Sequence, residues 1–452
     1  MEPFGGTMTG TPRPRTISTK LERIAQLAKQ GPTMAFTSLS HHIDLDWLRE
    51  AYRRTRKGGA PGVDGQTAEE YAKNLEGNLR SLLNRAKSGT YRAPPVRRVH
   101  IPKGNGETRP LGIPTFEDKI LQRAVVMLLE PIYEQDFLDC SYGFRAGRSA
   151  HQALEAHRES AMKMRGCWIV EVDLRKYFDT VDHGHLKELL RRRVRDGVVV
   201  RLIHKWLKAG VMEDGSLSYP ESGTPQGGVI SPLLSNVYLH YVLDEWFASD
   251  VKPRLHGRAY MVRYADDLVM GFASKSDADR VMAVLPKRCA RYGLVLHPTK
   301  TRMVDYRQPR RSTDRSGPGR SGTFDFLGFT HYWGKSRQGN MVPRTKTMRK
   351  RLTRSVRKIA EWCRSNRHRS VAQQRRKLNE KLRGHYEYYG VTGNYRCLAT
   401  FWYLVKRVWR KWLDRRDQQR HMPWARFNRL LLRYPLLTPR IAHSYHQRAA
   451  NP

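Results

Sequence analysis

Ala259-Tyr260-Met261-Val262-Arg263-Tyr264-Ala265-Asp266-Asp267-Leu268-Val269-Met270-Gly271-Phe272 sets two adjacent carboxylates between two apolar runs. The pattern predicts a strand over Ala259–Val262, a tight turn, and a returning strand over Leu268–Phe272, so that a β-hairpin carries both acids at its tip. Neighbouring aspartates repel one another and are disfavoured in strands, so the arrangement calls for a compensating partner; a divalent cation is the obvious one. Upstream, Trp168-Ile169-Val170-Glu171-Val172-Asp173 reads as a buried strand with Asp173 at its C-terminal end. As a neighbour in the same sheet it would bring a third carboxylate to the hairpin, and three carboxylates make a hard-oxygen site suited to Mg²⁺. Taken alone, the tetrapeptide Tyr264–Asp267 also reads as a solvated turn.

The chain has 452 residues, and its 83 Lys and Arg outnumber its 42 Asp and Glu to give a formal net charge of +41. Such an excess repels itself and points to a polyanionic partner, nucleic acid first and an anionic membrane surface second. The membrane reading is set aside because no apolar run approaches the roughly 20 residues of a spanning helix. The basic residues are also spread along the chain rather than gathered in one polybasic tail. Five cysteines, Cys140, Cys167, Cys289, Cys363 and Cys397, are an odd number without paired close spacing, which supports neither a disulfide framework nor a zinc ribbon. Reduced, intracellular thiols are expected. Met1 to Lys20 lacks the apolar core of a secretory signal; its Thr and Arg content suits a transit peptide or, more commonly, a disordered leader.

Helical spacing begins after the capping acid Asp44, and Gly58-Gly59-Ala60-Pro61-Gly62-Val63-Asp64-Gly65 is a loop. Val96 to Pro114 alternates as a hairpin around Lys103–Arg109, and a helix follows from Glu117 to Glu130. Helices over His183–Arg193, Val198–Lys208, Ser231–Trp246 and Asp277–Tyr292 alternate with the strands above, which predicts an α+β fold. Gly223-Thr224-Pro225-Gln226-Gly227-Gly228 is a Gly-rich turn opening a helix, with Ser231 as its cap and Pro232 in first position. Gln226 would be presented there on a close-approaching backbone, where a planar nucleotide could pack; an ordinary loop-to-helix junction is the alternative. Arg307 to Gly322 reads as a linker or mobile loop.

Residues 341–420 hold 24 Lys and Arg against 5 acids. Leu352, Val356, Ile359, Ala360 and Cys363 share one helix face and Arg351, Arg354, Arg357 and Lys358 the other, while nine aromatic residues lie between Tyr386 and Trp412. A solvated face is the common meaning of such charge, but basic and aromatic side chains together suit a groove that neutralises phosphates and stacks bases.

Asp173 in Val172-Asp173-Leu174-Arg175-Lys176-Tyr177-Phe178-Asp179, then Pro225-Gln226-Gly227, Tyr264-Ala265-Asp266-Asp267, His297-Pro298-Thr299-Lys300-Thr301 and Phe326-Leu327-Gly328-Phe329 follow one another in the order of reverse transcriptase motifs. With Arg109-Pro110-Leu111-Gly112-Ile113-Pro114, Ser141-Tyr142-Gly143-Phe144-Arg145-Ala146-Gly147-Arg148-Ser149-Ala150-His151 and Arg383-Gly384-His385-Tyr386-Glu387-Tyr388-Tyr389-Gly390-Val391, the chain more narrowly resembles bacterial group II intron-encoded reverse transcriptase/maturases, over residues 40 to 440. The resemblance implies a right-hand polymerase with fingers and palm, antiparallel at the catalytic hairpin, followed by an α-helical thumb/maturase domain. Its divisions would be a disordered leader over 1–35, fingers and palm over 36–306, a linker over 307–322 and the basic helical domain over 323–452.

The same resemblance implies an RNA-directed DNA polymerase that also binds its group II intron RNA for splicing and retrotransposition. Asp173 and Asp266 would bridge two Mg²⁺ ions, with Asp267 supporting one of them. Lys103 and Arg109, joined by Arg97, would meet the incoming triphosphate, and Gln226 the deoxynucleotide. Phe178 would be the steric gate against a ribose 2′-hydroxyl, and Lys300 matches a lysine associated with protonation of pyrophosphate, a surface role being an equal reading. Arg351, Arg354, Lys358, Tyr386 and Tyr389 would contact nucleic acid. Implied partners are the intron RNA, an RNA template with a DNA primer, dNTPs and target DNA. No histidine-rich or paired-cysteine module follows the basic region, so a form lacking a C-terminal endonuclease is expected. Two rivals are an RNA-binding splicing chaperone with a vestigial polymerase, against which all three aspartates speak, and a domesticated, defence-related reverse transcriptase.

Overall fold

A computed structural model describes residues 16–102, 108–213, 215–219, 223, 227–309, 322–336, 338–416 and 422–444. Packing groups the chain into two compact units interleaved along the sequence: Met1–Gly147, Leu174–Pro253 and Val284–Leu296 in one, and Arg148–Asp173, Arg254–Ala283 and His297–Pro452 in the other. The sequence-based divisions are consecutive; these are not. Among the described residues no helix is long and apolar enough to cross a membrane.

In the first unit the helix Ile17–Gln30 starts on Thr16, whose hydroxyl accepts the Thr19 N–H, and buries Ile24 and Ala28. This corrects the expectation of a disordered leader through residue 35. Ile24 and Ala28 lie one turn apart, and the helix packs on the helix Phe116–Asp136, a contact distant in sequence that no local signal announces. Phe116–Asp136 is capped by Thr115 and buries residues on nearly all sides, as the central helix of a core must. A small sheet runs in the order Thr108–Ile113, Val96–Pro102, Val211–Glu213, Ser216–Ser218. The expected hairpin is its first pair, in register Arg97↔Ile113, and its tip, with Lys103, lies outside the described residues. The helix opening at Ser231 has Ile230 as its cap residue, and beyond Leu239 it continues as π-turns over His240–Asp244 and Trp246–Val251 instead of as one α-helix to Trp246. All five residues of His240–Asp244 are buried, so packing outweighs local preference there.

In the second unit a four-stranded antiparallel sheet has the order Ala259–Tyr264, Asp267–Phe272, Gly166–Val172, Arg302–Arg307. The helix Ala150–Lys163 packs on it. A second sheet pairs Met341–Thr347, Phe329–Lys335 and Phe324–Phe326. Most of the expected linker, residues 310–321, lies outside the described residues. Helices Arg349–Ser365, Val371–Tyr389, Tyr395–Asp414 and Trp424–Arg433 then close on a core of Ile359, Cys363, Leu378, Leu382, Leu398, Phe401, Val405 and Trp409. Leu352 and Val356 pack against that core, which makes the apolar face of Arg349–Ser365 the one its spacing predicts. The fold is α+β with a helical C-terminal region.

Candidate active site

The catalytic hairpin closes with Tyr264 paired to Asp267, so Ala265 and Asp266 form a two-residue turn. Ala265 has φ of 55°, a left-handed backbone that costs a side-chain-bearing residue about 1–2 kcal/mol. Arg263 holds the strained turn: it is fully buried, and its guanidinium donates to the Ala265 carbonyl at 3.0 Å. The neighbouring strand supplies the third acid by register. Val172 pairs with Leu268, so Asp173, the next residue, comes level with Asp267.

Asp173 is held by the turn that carries His297-Pro298-Thr299-Lys300-Thr301. Its carbonyl accepts the His297 N–H at 2.7 Å, its N–H donates to Thr301 Oγ1 at 3.3 Å, and Lys300 Nζ donates to its Oδ2 at 3.0 Å. Lys300 is 60% exposed in this pair. Asp267 is held above the ordinary carboxylate range, first by its confinement among neighbouring groups and then by the charges of Asp266 and Asp173. Arg351 and Lys300 pull the other way. The outer edge of Asp267 is open to water, which moderates the first effect, so the like-charge repulsion is the part that bears on function.

Three hard oxygen donors that repel one another fit a divalent cation, which would relieve that repulsion. Among the described residues no three His, Cys, Asp or Glu side chains are drawn together as a closed cage, and Lys300 lies on one oxygen of Asp173.

The first unit assembles the strings expected at the nucleotide, through glycines. A Cβ on Gly223 would lie 2.9 Å from the Phe178 carbonyl oxygen and 3.0 Å from Asp179 Cα. One on Gly227, with φ of 114°, would lie 2.5 Å from the Gly112 carbonyl oxygen. Gly223 is therefore pressed on the turn of Phe178 and Gly227 on the strand of Arg109, close approaches that a side chain would block. Gln226 itself lies outside the described residues. Phe178 is half-buried with its ring edge-on to Tyr177, and Arg109 is exposed on its strand. Arg97 is turned to the Gly58–Gly65 loop, donating to the Pro61 carbonyl at 2.8 Å.

The profile of the reverse transcriptase (RNA-dependent DNA polymerase) family matches residues 101–331. The chain belongs to the reverse transcriptase family. Its class is that of an RNA-directed DNA polymerase, and it is similar to group II intron-encoded proteins. Protein YkfC of Escherichia coli K12 is 40% identical over 288 residues, covering 56% of this chain and 75% of that one. Group II intron-encoded protein LtrA of Lactococcus lactis subsp. cremoris is 40% identical over 225 residues, 49% of this chain but only 37% of LtrA. Nuclear intron maturase 2, mitochondrial, of Arabidopsis thaliana is 30% identical over 231 residues, 42% of this chain and 30% of that protein.

The basic aromatic region of this reverse transcriptase divides between core and surface. Tyr386, expected on nucleic acid, is fully buried and donates its hydroxyl to the Leu437 carbonyl at 3.1 Å. The expectation is corrected: a ring with no exposed face cannot stack a base. Tyr389 is half-buried between Phe329 and His385. Tyr395 and Tyr403 are exposed, while Lys406 covers Trp402 at 3.6 Å. Lys358 and Arg357 are exposed, Arg354 is half-buried beside Tyr389, and the charge of Arg351 reaches Asp267. Sequence reasoning missed Arg263, whose one signal is a cation inside an apolar strand directly before Tyr264.

Proposed function

We propose that the reverse transcriptase acts at Asp173, Asp266 and Asp267, and that the protein also binds group II intron RNA to assist splicing and retrotransposition. The observation that carries the polymerase site is the register that sets Asp173 level with the Asp266–Asp267 turn. Two Mg²⁺ ions held by these carboxylates would supply the Lewis-acid charge for attack of a primer 3′-hydroxyl on a deoxynucleotide and for departure of pyrophosphate. Arg109 and Lys103 bind the triphosphate, joined by Arg97, which also braces the Gly58–Gly65 loop, and Lys300 serves the departing pyrophosphate. Gln226 lies against the deoxynucleotide, and the partners are an RNA template with a DNA primer, dNTPs and target DNA, in the bacterial cytoplasm. The test is extension of a DNA primer on an RNA template in Mg²⁺, beside splicing of a precursor RNA carrying the cognate intron. No extension in Mg²⁺ would overturn the polymerase reading; extension without any effect on splicing would leave a polymerase and remove the maturase.

Phe178→Ala is expected to open the space beside the sugar's 2′ position and admit ribonucleotides. Relative use of rNTP and dNTP in single-nucleotide extension measures this. A variant that loses activity on both alike would assign Phe178 to packing.

RNA binding is expected on the basic face of the helix Arg349–Ser365. Arg354→Ala with Lys358→Ala should weaken intron RNA affinity and lower the log–log salt slope by somewhat less than about one per lost phosphate contact. Arg351 is kept out of this pair because its charge reaches Asp267. An unchanged slope would show these cations to be a solvated face.

A further inference from the structure

The helix Phe116–Asp136 carries a buried polar chain below the nucleotide-site turn. Asp118 and Gln122 are 1% and 3% exposed. Asp118 Oδ1 accepts from Trp206 Nε1 at 2.6 Å and from the Tyr91 hydroxyl, and its Oδ2 accepts from Gln122 Nε2 at 3.0 Å. Gln122 Oε1 in turn accepts the Val229 N–H at 2.8 Å and the Ile230 N–H at 3.3 Å. Two backbone N–H groups can be met only by the amide oxygen of Gln122, which leaves its amide nitrogen to face the Asp118 carboxyl. Burial raises the Asp118 carboxyl to about 6, with the bonds from Tyr91, Trp206 and Gln122 acting against the rise.

Val229 and Ile230 are the first residues after Gly227-Gly228, and Ile230 is the cap residue of the helix at Ser231. N–H groups at such a junction have no partner within the helix, so a side-chain acceptor decides where the backbone sits. The cavity lined by Asp118, Gln122, Trp206, Gly228 and Ile230 has a volume of about 10 Å³, room for no more than a single water. This buried polar network therefore has no room for a ligand of its own. Its output is the turn.

We propose that Asp118 and Gln122 are positioning residues of the deoxynucleotide site: they fix the backbone of Val229 and Ile230, directly after the Gly227 that packs on the strand of Arg109. This rests on the assignment of Gln226 to the deoxynucleotide. The close approach of Gly227 to Gly112 and the Gln122 oxygen on Val229 and Ile230 together hold the backbone from Gly227 to Ile230 against the strand that carries Arg109.

The test exchanges donor and acceptor. Asp118→Asn turns one accepting oxygen into a donor facing another donor, so the Gln122 amide must flip away from Val229 and Ile230. Gln122→Glu sets a second carboxyl against Asp118. The double variant Asp118→Asn, Gln122→Glu restores complementarity, since the new amide donates to the new carboxylate and the carboxylate's other oxygen accepts both N–H groups. Each single variant is expected to raise KM for dNTP about tenfold or more, a typical cost of leaving a buried donor or acceptor unmade, with kcat and primer affinity changing less. Amide exchange at Val229 and Ile230 should speed up in both. The double variant should return KM and exchange close to the parent values. If a single variant fails to fold, the double variant still decides, because a merely packing role gives no reason for one substitution to rescue the other.

Single variants with unchanged KM and exchange, or a double variant no better than the worse single, would overturn the proposal. Gln226→Ala, assayed beside them, separates it from the reading beneath. If Gln226→Ala raises KM and the singles do not, the positioning role fails. If Gln226→Ala changes nothing, the nucleotide role of Gln226 fails, and the anchor's role in binding fails with it.

Discussion

Asp266→Asn, like Asp173→Asn, is expected to reduce extension of a DNA primer on an RNA template by about a thousandfold or more, since several kcal/mol of charge stabilisation is lost and each 1.4 kcal/mol is tenfold in rate. The reason lies in the hairpin: Ala265 and Asp266 are the whole turn, and the register puts Asp173 level with Asp267, so each substitution removes one of the three carboxylates set there. RNA affinity should hold or rise slightly, because each substitution removes a charge that repels phosphate. Single-turnover extension in Mg²⁺ and RNA binding by filter retention measure the two effects. A variant that extends at the parent rate would remove the metal role from these residues.

Trp409→Ala is expected to destabilise the C-terminal helices by about 3–5 kcal/mol, the usual cost of emptying a buried tryptophan site. Trp409 is fully buried, its ring meets Phe427 edge-on at 5.7 Å, and its Nε1 donates to the buried Gln374 at 2.9 Å. Truncation thus opens a cavity and also strands the Gln374 oxygen. Stabilities of whole domains are only about 5–15 kcal/mol, so this helical region should lose its cooperative unfolding at moderate denaturant while the helix Phe116–Asp136 keeps its protection. Hydrogen exchange followed by segment reads both. Uniform protection across the helices Val371–Tyr389 and Tyr395–Asp414 would show that the core tolerates the hole.

Much of the active site is legible along the chain. The hairpin reads correctly because strand alternation and a two-residue turn are local properties, and the strand Gly166–Val172, with Asp173 next after it, announces the third carboxylate for the same reason. The basic amphipathic face of Arg349–Ser365 is legible through its period. The leader was not: the pattern of Ile24 and Ala28 is too weak to specify a helix until Phe116–Asp136 is there to cover it. Tyr386 was misassigned because an aromatic residue among cations looks the same in sequence whether it faces solvent or a core.

The sequence alone determined which chemistry the chain carries: three carboxylates at the ends of strands, a glycine-bounded Gln226, and a net charge that demands a polyanion. Those follow from covalent order, because turns, strand alternation and charge need no distant partner. Tertiary structure decided the rest. Arg263 under the Ala265 carbonyl, Thr301 on the backbone of Asp173, and Gln122 on Val229 and Ile230 each join residues whose bonding depends on which elements pack together. A buried polar group must find its partner wherever the fold puts one, and that place is a property of the packed elements and not of either segment's own pattern.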